Sequence, residues 1–393
     1  MRHRLLRLIG MVAVIALVAL TMARVNGRAQ TDTGAKTPWG EPNLQGIWSV
    51  ELLVPLERPA DVTAEFYTEE EVAGLDDLRR GYSVFGNHLR AERGTEADVA
   101  GAYNAVFTSH RPTGQRTAMI VDPPDGQLPP ITPEAQERQA VMRDFQVALL
   151  QNTVVCRDSL PGCRGGTYGP PSPRRAELPP YYSTSNVNRA DGPEDRSLGE
   201  RCMSGRLTPS SGGFTGVHTR IVQSPGVVTI FYDVGQGQGF NRVIPITTAP
   251  HLPSHIRQWW GDSRGRWEGE TLVVDVTNFS QKTDFRGSRE NLHLVERWTR
   301  TGPDTIELIA TVEDPTVWTR PWTVVQDFNL QDNEANRIYY EPRCHEGNYG
   351  LPGLLAGARA EEKAFTEGRG PDPATRCIAG CAPAEGRDPF GRR

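Results

Sequence analysis

From Thr219 onward, apolar and polar positions alternate with a period of two, and turn residues break the alternation at short intervals. IVQSPGVVTIFYDV divides at Ser224-Pro225-Gly226 into two strands. GRWEGETLVVDVTNF turns at Glu268-Gly269 and then alternates over Leu272, Val274 and Val276. LHLVERWTRTGPDTIELIATVED forms a hairpin around Thr301-Gly302-Pro303-Asp304, and WTVVQDFNL and RIYYEPRC add two more strands. Hairpin-length connections between β-branched, aromatic-rich segments predict an antiparallel meander. No helix-period segment interrupts it, which excludes a parallel α/β sheet. Such a sheet must cover or close its edges, so the expectation is a barrel or a strongly curled sheet.

The first half of the chain is patterned differently. LQGIWSV (44–50) reads as a strand carrying Gly46-x-Trp48. The spacing predicts a helix over 68–80, with Thr68 as N-cap and Glu71 completing a capping box. Arg116 to Val121 reads as a short strand stopped by the Pro123-Pro124-Asp125-Gly126 turn. A second helix is expected from Pro133 to Leu150, capped by Thr132, with proline at the first helical position where its missing N–H costs nothing. Residues 156–195, rich in proline, glycine and arginine, read as a long connection wrapped over a scaffold.

Arg2, Arg4 and Arg7 precede an apolar run from Leu8 to Ala23, and Gly27 and Ala29 fit the small-residue cleavage positions. The run is short for a span. The chain is therefore read as exported to the periplasm or beyond, with residues 1–29 a signal peptide and no stable membrane anchor after cleavage. A flexible lead-in (30–45), a single β-rich domain (46–365) with a helical and loop excursion at about 60–200, and a flexible Gly/Pro-rich tail (366–393) follow. Without the five arginines of the signal, 38 of the 43 basic residues remain against 48 acidic ones, a formal charge near −10. That disfavours nucleic acid and anionic membranes as partners. The six cysteines suit an oxidising compartment. Short-range pairing of Cys156 with Cys163 and of Cys377 with Cys381 would leave Cys202 for Cys344; no CxxC pair points to a metal–thiolate site.

The early Gly46-x-Trp48 followed by a late antiparallel meander resembles the lipocalin (calycin) pattern. That resemblance implies a barrel plugged at one end by the tryptophan and holding an apolar ligand. The long connection after Trp48 means either that two helices and a loop excursion are inserted there, or that Trp48 belongs to another arrangement. The blocks HLPSHIRQWWGDSRGRWEGETLVVDVTNF, ENLHLVERWTR and YEPRCHEGNYGL also resemble signature segments of a large family of exported bacterial proteins. No catalytic residue is carried over from it.

The densest chemistry lies in His251–Phe279, which gathers two histidines, three tryptophans, three arginines and an aspartate ahead of a strand. His251 and His255 are four apart, but Pro253 between them opposes the helix that would make them joint metal ligands, and no HExxH context is present. They are read either as acid/base groups or as loop-corner histidines bonded to backbone; a zinc site completed by His345 or Glu346 is the third possibility. Asp262 can orient a histidine, and Arg257 or Arg264 can stabilise developing negative charge or staple a turn. His293 shares a strand face with Val295, opposite Leu292, Leu294 and Glu296, so whether it lines the interior depends on which face is apolar. His345 beside Glu346, following Cys344, is a candidate acid/base pair. Trp259 and Trp260 are adjacent and cannot both face inward in extended backbone, leaving one for a ligand. Gly235-Gln-Gly-Gln-Gly239 lacks the spacing of a dinucleotide fingerprint, and no serine-hydrolase elbow or phosphate loop occurs.

Together these features predict a protein that binds and transforms a small apolar or aromatic molecule by cofactor-free acid/base chemistry, as a lyase, isomerase or hydrolase, without a metal. Non-catalytic ligand carriage and an extracellular interaction scaffold are the alternatives.

Overall fold

The computed structural model describes residues 36–50, 52–80, 112–183, 187–198, 200–201, 218–235, 238–331, 349–379 and 381. Ten strands form one sheet: β1 (Gly46–Ser49), β2 (Ile120–Asp122), β3 (His218–Ser224), β4 (Val227–Gly235), β5 (Gln238–Pro245), β6 (Asp262–Glu268), β7 (Thr271–Thr277), β8 (His293–Gly302), β9 (Thr305–Glu313) and β10 (Trp322–Leu330). Their order is β5-β4-β3-β1-β10-β9-β8-β7-β6, with β2 attached to β10. Every ladder along this path is antiparallel. The result is a nearly closed antiparallel barrel of nine strands with a lipocalin-like up-and-down order.

The turns that divide the strands are those the sequence supplies. Gly226 and Gly269 adopt positive φ (79° and 62°) between β3 and β4 and between β6 and β7. β1 pairs with both β3 and β10, so Trp48 belongs to the barrel, and β2 with the helices is inserted between β1 and β3.

The odd number of strands decides how the barrel closes. Strands alternating in direction around an odd-numbered ring leave one neighbouring pair parallel, here β5 and β6. The bridge between them among the described residues, Ile246 to Gly265, is indeed parallel, and Thr247 N–H donates to Gly265 O at 2.9 Å. Parallel neighbours cannot be joined by a tight hairpin and need a crossover of a dozen or more residues. Residues 246–261, which hold the dense His/Trp/Arg stretch, are that crossover. Gly265 is fitted to the seam: a Cβ there would lie 2.8 Å from both Ile244 Cγ2 and Ile246 Cδ1.

Inside the barrel, alternate residues of each strand form the core, among them Val274, Leu294, Trp298, Leu308, Val324 and Phe328. The excursion folds outside it. α1 (Glu69–Arg80) begins with the expected capping box: Thr68 N–H donates to Glu71 Oε2 at 2.8 Å, and Glu71 N–H to Thr68 Oγ1 at 3.2 Å. α2 (Pro133–Ala148) is capped by Thr132, which accepts from Ala135 N–H. Phe145 and Leu149 pack with Val187, and the short α3 (Val154–Arg157) carries Cys156, bonded to Cys163. Cys377 and Cys381 are bonded to each other and lie against that pair, and Asn188 ties them down by donating to Arg376 O and accepting from Ile378 N–H. Both bridges fit an oxidising compartment. The expected Cys202–Cys344 bridge and the strand at 337–344 fall outside the described residues.

α4 (Gly350–Thr366) is not predicted by the pattern, because Gly350, Pro352, Gly353 and Gly357 read as breakers. Pro352 sits in the first turn, where no intrahelical N–H is required. Among the described residues, no helix is long and apolar enough to cross a membrane.

Candidate functional site

The crossover places His251 against the outer face of the barrel wall. Asp262 opens β6 and Asp275 lies in β7, both on the face opposite Ser263, Val274 and Val276, which turn inward. His251 Nδ1 lies 2.9 Å from Asp262 Oδ2, and its Nε2 lies 3.0 Å from Asp275 Oδ1. The same Asp275 oxygen lies 3.2 Å from His293 Nε2, at the start of β8. His293 Nδ1 is 3.5 Å from Glu313 Oε2, at the end of β9. Arg264 closes the other end of the chain, with Nη1 2.9 Å from Asp262 Oδ1. Arg264, Asp262, His251, Asp275, His293 and Glu313 thus form one continuous line of ionisable groups.

The loop is held for this contact by backbone bonds. Leu252 N–H donates to Asp262 Oδ2, and Asn278 Nδ2 donates to Leu252 O at 2.7 Å and to Pro253 O and Ile256 O at 3.2 Å. Asn278 occupies the left-handed region (φ 57°), which asparagine tolerates better than most residues.

The electrostatics separate the two histidines. His251 has both ring nitrogens engaged by carboxylates, so it links strands and leaves no nitrogen for a substrate. His293 is 35% exposed, and its Nδ1 meets only the half-exposed Glu313. The hydrogen bond to Asp275, helped by that residue's charge and by Glu313, raises His293 above the ordinary histidine value against the opposing effect of burial. The bond from His293, with its charge and the bond from His251, holds Asp275 below the usual carboxylate range. A raised histidine stabilises the fold fully below its unfolded value and loses that contribution as pH rises through the folded value. A depressed carboxylate contributes above its unfolded value and loses that contribution as pH falls through the folded one. Stability from this pair is therefore expected to be greatest between the two ordinary values, roughly pH 4 to 6.5, and to decline on either side. Denaturant midpoints measured across pH for wild type and Asp275→Asn check this: the variant should have shallower limbs. Identical profiles would mean that the contact does not persist in solution.

The remaining candidates are distributed as follows. His255 is exposed and makes no hydrogen bond or ion pair among the described residues. Arg257 donates to Phe279 O and Glu290 O, and so staples backbone. Arg264 serves Asp262 and Pro250 O. Trp259 turns outward, edge-on to Tyr182 at 6.1 Å, whereas Trp260 stacks on Phe240 at 4.3 Å and packs against the core. His345 and Glu346 lie outside the described residues. No group of three or more His, Cys, Asp or Glu among the described residues is arranged to hold a metal.

A second polar group, which the sequence pattern does not announce, lies on the inner side of the wall. Arg242 of β5 and Glu296 of β8 form an ion pair at 2.8 Å with side chains 4% and 0% exposed. Arg242 Nε donates to Ser263 Oγ at 2.9 Å, and Trp298 Nε1 donates to Glu296 Oε2 at 3.1 Å. Burial pulls the guanidinium down, but the charge of Glu296 and the nearby Tyr232 outweigh it and hold Arg242 above the ordinary arginine value. Arg242 reaches from one side of the parallel seam to Ser263 on the other, supplying from within part of what the missing ladder does not. The sequence signal for Glu296 is its place on the Leu292–Leu294 face, where a carboxylate must find a partner. Asp275 has a fainter one, an acid among valines.

No protein-family model matches the chain, and no curated protein matches it. Among solved structures it is similar to a secretary abundant heat soluble (SAHS) protein from Ramazzottius varieornatus, at 13% identity over 30% of this chain and 74% of that one, TM-score 0.22. It is also similar to a point mutant of the fluorescent protein UnaG, at 16% identity over 34% of this chain and 85% of that one, TM-score 0.20. At these scores neither likeness carries a functional argument, and the barrel is described from its own strand order.

Proposed function

We propose that this is an exported protein that acts on a small apolar or aromatic molecule at the outer rim of its barrel, by cofactor-free acid/base chemistry. Asp275 carries the reading: one carboxylate oxygen stands 3.0 Å from His251 and 3.2 Å from His293. A histidine whose hold on a proton is strengthened by a fixed carboxylate, and which is left partly open, is equipped to deliver that proton. In this scheme His293 is the proton donor, Asp275 orients it, and His251 with Asp262 anchors Asp275 to the crossover. The test uses 4-nitrophenyl acetate hydrolysis and hydrogen–deuterium exchange of phenylacetone as probes of acid/base turnover. Activity should fall about 10²- to 10⁴-fold in His293→Gln and Asp275→Asn, with cooperative unfolding retained. Turnover that is absent in wild type, or unchanged in both variants, would remove the catalytic reading.

Ligand carriage is the second reading, and a different observation favours it. Arg242 Nη2, deep in the barrel, has no hydrogen-bond acceptor among the described residues.

A further inference from the structure

We infer that the inner wall at the parallel seam holds a binding subsite for a neutral oxygen, a carbonyl or hydroxyl, of a small aromatic molecule. The inference rests on the carrier reading and adds the place and the chemistry. Arg242 uses Nε on Ser263 and Nη1 on both oxygens of Glu296, leaving Nη2 buried with no acceptor among the described residues. A buried donor without a partner is costly and is seldom left so. Thr219 Oγ1, fully buried, likewise has no partner among the described residues; it stands opposite Tyr232, whose hydroxyl accepts from Arg242 Nη1 at 3.4 Å. Two unmet polar atoms thus belong to one corner of the inner wall, on β3 and β5.

Access comes from the seam. Most inward residues of β7 to β10 are almost fully buried. Phe240, Trp260, Trp267 and Ile246, which pack against the core along β5, the crossover and β6, remain partly exposed. Tyr232, Phe240 and Trp260 stack in sequence, with centroids 4.8 and 4.3 Å apart. An aromatic ring inserted at the seam would extend this stack and bring its oxygen towards Arg242.

The ligand's charge follows from the ion pair. Glu296 already supplies the countercharge to Arg242, so a second carboxylate would enter a buried site where the described residues offer it no further balancing cation. A neutral acceptor meets Nη2 without that penalty.

The test is titration of the mature chain with acetophenone and, separately, with benzoate, following the Arg242 side-chain N–H resonances by NMR and tryptophan fluorescence. Acetophenone should shift the Arg242 resonances and quench fluorescence in a way that Trp260→Phe removes. Benzoate at the same concentration should do neither. The Arg242→Met/Glu296→Met double variant, which removes the pair without stranding a charge, should bind acetophenone about tenfold or more weakly. The subsite is overturned if acetophenone quenches fluorescence while Arg242 stays silent. It is equally overturned if benzoate binds as well as the ketone, or if Arg242 Nη2 protons contact only resident water and do not respond. The wild-type titration decides the matter even if the double variant fails to fold. His293 imidazole resonances, recorded in the same experiment, report the outer site separately, so failure of one site is distinguishable from failure of the other.

Discussion

Glu296→Ala is expected to destabilise the protein by about 3–5 kcal/mol, the cost of leaving one member of a buried ion pair alone. Glu296 is fully buried, and it is the acceptor for Arg242 Nη1 through both oxygens and for Trp298 Nε1. Its removal strands a guanidinium that cannot lose its proton and that keeps, among the described residues, Ser263 and a long contact to Tyr232. The loss should be felt at the seam, because Arg242 is the internal connection between β5 and β6. The Arg242→Met/Glu296→Met double variant should recover most of the stability, since apolar replacement of a whole buried pair is often neutral or favourable. Denaturant midpoints of the three proteins decide this. A single variant within about 1 kcal/mol of wild type would show that water reaches the pair in solution.

The strands are legible in the sequence because their limits are local. Gly226 and Gly269 sit where positive φ is required, and the alternation of Leu272, Val274 and Val276 names the inner face of β7. The capping box at Thr68 and the cap at Thr132 are legible for the same reason. The closure is not. That β5 and β6 meet parallel depends on the count of strands around the ring, which includes β1, contributed from at least 169 residues before the residues it pairs with (218 − 49 for Ser49 with His218). Once the count is known, the long segment 246–261 has a physical reason to exist, and its histidines and tryptophans have a reason to sit at a barrel wall.

The same separation explains why the candidate site is only partly readable. His251 and Asp262 are near neighbours in sequence, and His293 is visible as a possible partner. Asp275, which joins them, is one residue in a run of alternating β character, and only the register of β7 on β8 places it beside His293. Sequence proximity puts the aromatic and acid/base groups in one cleft. The wall divides them: Trp260 packs inward on Phe240, while His251, Asp275 and His293 stand outside. One small ligand is therefore not expected to touch both sets.

Trp48→Ala is expected to cost about 3–5 kcal/mol, as large aromatic truncations in a core do. β1 has only four residues, yet it is the element that joins β3 to β10. Trp48 is fully buried, donates its indole N–H to Leu44 O at 2.9 Å, and is covered by the Arg300 guanidinium, 5.6 Å from its ring, which itself donates to Asn43 O. Gly46 completes the arrangement: a Cβ there would strike Leu330 Cδ1 at 2.8 Å and Trp48 Nε1 at 3.2 Å, so the glycine is needed for the tryptophan to seat. Removing the indole takes away the anchor of a strand too short to hold by ladder bonds alone, and a second seam would open opposite the first. Trp48→Phe should be intermediate, keeping most of the buried area and losing the hydrogen bond, a difference of about 1 kcal/mol for the bond itself. Urea unfolding of both variants, with unchanged slope, is the measurement. A loss below about 1 kcal/mol for Trp48→Ala would mean that β1 lies on the barrel without closing it.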